Sequence, residues 1–326
     1  SYFPQLVAGP IERADNLLPQ LKKEQVFRYD QAAHGVRLMV WGFFKKCVCA
    51  AYLSRLADAV YNDVSYASGG AAALATAAFA LQIYCDFGGY SDIARGCSEM
   101  MGVELMVNFK APYFALSMRD FWKRWHISLT SWFREYVYFP LGGSRRGFAR
   151  TLRNTLIVFA LSGLWHGASW TFVVWGLLHA LYLCAELIWN RLRRNAPKAP
   201  GPCCKALLLL KTFVLACIAW AFFRADTMAD ALAVLGAAFA GLRHPLTWMQ
   251  DAWHLLTAGG TLTAAITVFS VLVLLLGDLL DEKNDAMAAV GRLRPAARYA
   301  LYVVFLLGIL LLIPKTTAAP FIYFQF

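Results

Sequence analysis

Apolar residues along this chain do not alternate with polar ones. They gather into runs at 71–85, 154–188, 205–223, 261–280 and 299–313, and the charges collect between the runs. A helix rising 1.5 Å per residue needs about 20 apolar residues to cross a ~30 Å hydrocarbon layer. The runs therefore predict a polytopic helical membrane protein, with 154–188 long enough for two short passes. Segments 36–52 and 119–139 mix aromatic residues with charges. Neither can face lipid on all sides, because a charge at the bilayer centre costs about 2.5 kcal/mol or more. Each is expected at the interface or lining an interior. Trp122, Trp125 and Trp132 beside Lys123, Arg124 and Arg134 suit an interfacial or re-entrant helix.

Composition agrees with the pattern: 59% of the residues are hydrophobic, 16% are charged, and the mean hydropathy is +0.49. A soluble domain is about 45–50% apolar. The net charge of +11 resides in clusters between the runs: Arg145, Arg146, Arg150 and Arg153; then Arg191, Arg193, Arg194, Lys198 and Lys205; then Lys283, Arg292, Arg294 and Arg298. By the positive-inside rule these three loops are expected in the cytoplasm, which puts segment 224–260 and the tail after 313 outside. Cations that border spans rather than line one groove argue against nucleic acid as a partner.

The eight cysteines form no CxxC pair, and no histidine stands at zinc spacing, so neither a disulfide framework nor a metal is expected. No internal repeat or low-complexity tract is present, and only 195–204, rich in proline, has the look of a linker. One membrane-embedded domain over 1–326 is expected. The chain opens on Ser1 without a cleavable signal peptide, so it is read as a fragment whose start is missing.

Candidate chemistry lies where polar residues interrupt apolar ones. In "SGLWHGASW" (162–170), His166 stands between two passes and is flanked by Gly163 and Gly167, which allow close backbone approach or a helix break. Desolvation there favours the neutral, proton-accepting imidazole a general base requires. A histidine bonded to a backbone carbonyl in a helix contact would read the same way. His126 in "WKRWHISL" suits either a site or a polar tip at the headgroups, and His179 either shares the cavity of His166 or packs as a core residue. His34, His244 and His254 stand in contexts that read as loops. In "LQIYCDFGGYSDIA" (81–94), Asp86 and Asp92 flank Gly88 and Gly89. An acid at that depth must be paired, protonated or facing water, and the double glycine predicts a broken helix. Asp86 could orient a base, bind a substrate or form a salt bridge with an arginine. No GxSxG, P-loop or HExxH is present, so neither an acyl-enzyme serine nor ATP-driven transport is indicated.

Six motifs in order carry a more specific signal: "FPQLVAGPIER" (3–13), "GFFKKCVCA" (42–50), "LQIYCDFGGYSDIA", "FWKRWHISLTSWFREYVYFPLGG" (121–143), "GLWHGASWTFVVWGLLHA" (163–180) and "PFIYFQF" (320–326). Together they resemble the membrane-bound O-acyltransferase family, in the bacterial branch that O-acetylates exported polysaccharides such as alginate. The resemblance covers nearly the whole chain, although members carry several more hydrophobic segments before "FPQLVAGPIER". It implies an all-α fold: a polytopic ring of transmembrane helices, with re-entrant or interfacial helices, around a central funnel.

The resemblance also implies a site and a reaction. His166 corresponds to the catalytic histidine and His126 to its companion, with Asp86, Trp165 and Trp125 as candidate support. The implied donor is a cytoplasmic acetyl thioester, acetyl-CoA by expectation, and no bound cofactor or metal is implied. The tail resembles the C-terminal motif of a small membrane peptide that partners the related D-alanyl transfer acyltransferase. This makes Tyr323 an acyl-relay candidate, with an interfacial anchor as the other reading. Expected partners are membrane lipid, a periplasmic serine esterase-like acetyltransferase and an exported polysaccharide as final acceptor. The expected location is the bacterial inner membrane. The alternative from another class is a non-enzymatic channel or flippase for a glycan or acyl carrier, which intramembrane Asp86 and the basic segments would also suit.

Overall fold

The computed structural model describes residues 2–193, 201–283 and 285–314 and builds them from helices and loops, with no strand among them. The helices are α1 (Ala14–Lys22), α2 (Tyr29–Phe43), α3 (Ala51–Tyr61), α4 (Gly69–Met100), α5 (Met118–Arg124), α6 (Ile127–Phe133) and α7 (Phe148–His166). They continue with α8 (Trp170–Leu192), α9 (Pro202–Arg224), α10 (Met228–Ala240), α11 (Pro245–Thr257), α12 (Thr261–Lys283), α13 (Ala286–Gly291) and α14 (Pro295–Leu312). Five of these, α4, α8, α9, α12 and α14, are long and apolar enough to cross a membrane. The run 154–188 divides as expected, into α7 and α8 with a break at 167–169. On α14, Leu310 and Leu311 are 70% and 80% exposed, an apolar surface suited to lipid rather than water. All eight cysteines are free.

Contacts divide the chain into two compact units. Among the described residues the first contains 2–56, 81–111 and those of 256–314; the second contains those of 57–80 and 112–255.

Within the first unit, α2 and α4 run antiparallel in direct backbone contact. A Cβ on Gly42 would lie 2.6 Å from the Gly89 carbonyl oxygen, and one on Gly89 would lie 2.7 Å from that of Gly42. One heptad away, Gly35 and Gly96 meet in the same reciprocal way. Only glycine permits such an approach. This corrects the expectation of a broken helix, since α4 runs unbroken through Gly88 and Gly89 and Gly89 makes room for a neighbouring backbone.

Between α2 and α3 a π-helical stretch, Phe44–Ala50, carries Lys45 and Lys46. Lys45, buried at 3% exposure, pairs with Asp92, and Lys46 pairs with Asp86. The charges of 36–52 thus line an interior. Asp86 thus meets a lysine of the π-helix: a local change of helical pitch, which spacing does not reveal, turns the lysines toward α4. His34 is likewise helical, on α2, where it meets Glu99 of α4 at 2.5 Å and Asp285 at 3.3 Å. His254 lies on α11. The loop reading fails for both because their helices are short and largely polar on one side.

Within the second unit, α7 and α8 form a tight hairpin. Gly163 abuts the Phe172 carbonyl and Gly176 the Phe159 carbonyl, again without room for a Cβ. Segment 119–139 folds as α5, α6 and a π-helical turn, Arg134–Tyr138. The first amides of α5 are bound from α8, as Met118 N–H and Arg119 N–H donate to the two carboxylate oxygens of Glu186 at 2.8 and 3.0 Å. Ser117 Oγ accepts from Asp120 N–H at 3.1 Å. A charged acceptor on free helix amides anchors this short helix against α8.

Candidate active site

The second unit gathers three histidines into one aromatic cluster. His126 lies between α5 and α6, 4% exposed, with φ 42° and ψ 55°. Among the described non-glycine residues only Ala111 shares a positive φ. The left-handed conformation costs an L-residue about 1–2 kcal/mol, a strain that concentrates at functional positions. It also breaks the chain direction, because α5 closes with Trp125 N–H donating to the Phe121 carbonyl and α6 opens with the His126 carbonyl accepting from Thr130 N–H at 2.9 Å. Burial, with the neighbouring His166 as second cause, pushes the His126 imidazole down to about 3, so this ring is neutral at physiological pH.

His166 is the last residue of α7, and Gly167 ends the helix. A Cβ at Gly167 would lie 2.6 Å from Phe172 Cε2, so the chain turns here pressed against that ring. The half-buried imidazole is walled by aromatic edges, with ring centroids at 5.0 Å from both Trp165 and Trp175 and 5.2 Å from Phe223. Such walls lower the local dielectric without offering a competing charge.

His179, on α8, is fully buried. Its Nδ1 accepts from Trp122 Nε1–H at 3.3 Å, and its ring lies 5.2 Å from Trp175. Trp175 therefore touches both His166 and His179. The packing reading of His179 stands, and its packing extends the same cluster. Trp125 is buried against Phe121 (5.5 Å, stacked) and Trp220 (4.9 Å). Trp165, by contrast, is 53% exposed.

Of the candidates read from sequence, the structure thus brings His126, His166, Trp125 and Trp165 into one unit. Asp86 belongs to the other unit, bonded to Lys46. Tyr323 lies outside the described residues. Trp175, Trp220, Phe223 and Glu186 did not stand out in the sequence, and Trp122 stood out there only as part of an interfacial or re-entrant helix. The available signal was spacing: Phe172, Trp175 and His179 fall at i, i+3 and i+7 on α8, and Ala216, Trp220 and Phe223 at i, i+4 and i+7 on α9, so each set shares one helix face. Among the described residues no group of three or more His, Cys, Asp or Glu side chains is arranged to hold a metal. An imidazole at a helix end, beside a second imidazole and within aromatic walls, can accept a proton from a hydroxyl brought to it when it is neutral.

Comparison with known proteins gives this geometry a context. A family model described as MBOAT, membrane-bound O-acyltransferase family, matches residues 1–225. A Helicobacter pylori protein named peptidoglycan O-acetyltransferase is 39% identical over 237 residues, 72% of this chain and 44% of that protein. A Pseudomonas putida protein named probable alginate O-acetylase AlgI is 34% identical over 339 residues, 99% of this chain and 67% of that protein. Its Pseudomonas aeruginosa counterpart is 39% identical over 242 residues, 73% of this chain and 44% of that protein. The chain spans between about two fifths and two thirds of the length of these relatives.

Proposed function

The chain belongs to the membrane-bound O-acyltransferase family, and from that premise we propose that it O-acetylates an exported polysaccharide, taking the acetyl group from a cytoplasmic thioester. The observation that carries this reading is His166 at the end of α7 with His126, in its left-handed turn, as electrostatic neighbour. His166 is the general base. It takes the proton of the acceptor hydroxyl as that oxygen bonds to the acetyl carbon; the carbon–sulfur bond breaks and the thiolate departs toward the cytoplasm. His126, held neutral, positions donor or acceptor or stabilises the charge developing on the carbonyl oxygen.

Acetyl-CoA is the donor this reading favours, with the basic loops attracting its phosphates from the cytoplasmic side. The protein acts in the bacterial inner membrane as one acyltransferase domain whose helices enclose a central funnel, with Trp125 and Trp165 in supporting roles. Tyr323 carries the acetyl group outward to a periplasmic serine esterase-like partner. Alginate and peptidoglycan, named for the relatives, mark the acceptor class. His166→Ala in the full-length protein, reconstituted with partner and glycan, is expected to insert normally and lose acetyl transfer by about 10²–10⁴-fold. Undiminished transfer would overturn the assignment. Mass spectrometry of the C-terminal peptide during turnover tests the relay, with an acetyl group on Tyr323 expected.

A further inference from the structure

The first unit holds a cavity that the acyl-transfer reading does not use. Its volume is about 260 Å³, and it is lined by α2, the π-helix, α4, segment 107–111, α12 and α13. Drug-sized ligands occupy pockets of about 300–1,000 Å³, so this one suits a ligand the size of a lipid headgroup. Its charges are of both signs, and not all of them are hydrogen-bonded to one another.

Arg95 is the clearest instance. Its guanidinium makes no hydrogen bond among the described residues, and Nε is buried without a partner. Asp92 at 3.8 Å and Glu99 at 3.7 Å stand within ion-pair distance of it but beyond hydrogen-bond reach, which leaves its donors open. A guanidinium has five donors in a planar fork suited to an oxyanion. Lys110, exposed on the same lining, adds a second cation.

The opposite sign is presented by α12. Asp278 is 5% exposed and accepts from Tyr84 Oη–H at 2.8 Å. Asp281, one turn on, is exposed and accepts only a 3.4 Å bond from Ala286 N–H. Among the described residues neither carboxylate forms an ion pair, the nearby Lys45 being bound to Asp92. A ligand bearing only an anion would be repelled by this acidic wall, and one bearing only a cation by Arg95 and Lys110. Trp41 and Leu38, also on the lining, offer apolar surface for the carbon atoms between two charges.

We propose that this cavity binds a small zwitterion of the phosphoethanolamine type, its oxyanion on Arg95 and Lys110 and its ammonium on Asp281 and Asp278. That chemistry has two sources, the headgroup of phosphatidylethanolamine and the free soluble zwitterion. The test uses the whole chain, delipidated in detergent, with bound lipid counted by native mass spectrometry and affinity followed by thermal shift. Phosphatidylethanolamine, phosphatidylglycerol and soluble phosphoethanolamine are the probes. Wild-type protein is expected to bind one of the two ammonium-bearing probes at least about tenfold more tightly than phosphatidylglycerol, which lacks the ammonium. Preference for the lipid identifies a membrane source, and equal binding of the soluble compound identifies a soluble one. Arg95→Gln and Asp281→Asn are each expected to lose about tenfold or more in that affinity. Lys110→Gln, at an exposed position, gives the same direction without risk to folding. Equal binding of phosphatidylglycerol, or unchanged affinity in all three variants, would overturn the proposal, whatever the acetyl-transfer assay returns.

Discussion

Gly42 and Gly89 meet backbone to backbone, each occupying the space a Cβ on the other helix's partner position would need, at 2.6 and 2.7 Å from the facing carbonyl oxygen. With Gly35 and Gly96 one heptad away, this contact sets how closely α2 and α4 pack, and hence whether the π-helical lysines reach Asp86 and Asp92.

Gly89→Ala is therefore expected to destabilise the protein by about 1–3 kcal/mol, the usual cost of overpacking, because the obstructing atoms are backbone and cannot rotate away. Thermal unfolding in detergent measures it. Gly236→Ala, where a Cβ meets open space, is the control and should leave the midpoint unchanged or slightly raised.

Lys45 is buried and bound to Asp92. Asp92→Asn strands that charge and is expected to cost about 3–5 kcal/mol. Replacing both partners by apolar residues, Lys45→Met with Asp92→Leu, removes the stranded charge and should recover most of the loss. A double variant no more stable than Asp92→Asn would show that the loss does not come from a stranded charge.

His34 supplies a pH dependence. The hydrogen bond to Glu99, the largest influence, holds its imidazole above the ordinary value of 6.5, against the opposing effect of burial. A group whose folded value is raised contributes stability fully below its unfolded value and loses it as pH rises through the folded one. The wild type should thus lose stability more steeply than His34→Gln as pH rises above the ordinary value of 6.5. Melting temperatures across that range decide it, and parallel slopes would remove His34 as the cause.

His126 carries backbone strain that glycine would not. His126→Gly and His126→Ala both delete the imidazole, but only alanine keeps the left-handed penalty of about 1–2 kcal/mol. The glycine variant is expected to melt higher than the alanine variant while both lose acetyl transfer. If both variants transfer acetyl groups normally, the strain at this turn has no bearing on catalysis.

Much of this protein is determined by its sequence read alone. The apolar runs predicted helices at the positions where α4, α7 to α9, α12 and α14 stand, and all of these but α7 are long and apolar enough to cross a membrane, because a bilayer-length run has almost no other stable use. The motifs around His126 and His166 carried the family, and the fold places these two histidines, 40 positions apart, in one unit. Tertiary structure alone decided what lies around them. That Gly89 accommodates a neighbouring backbone rather than breaking α4, and that Asp86 meets Lys46, depends on a helix crossing and a π-helical turn. The aromatic wall of Trp122, Trp175, Trp220 and Phe223 is built from residues on three helices, each of which reads in isolation as an ordinary apolar side chain. Periodicity records which face of a helix is buried, but not which other helix covers it, and the surroundings of the candidate site are set by the covering.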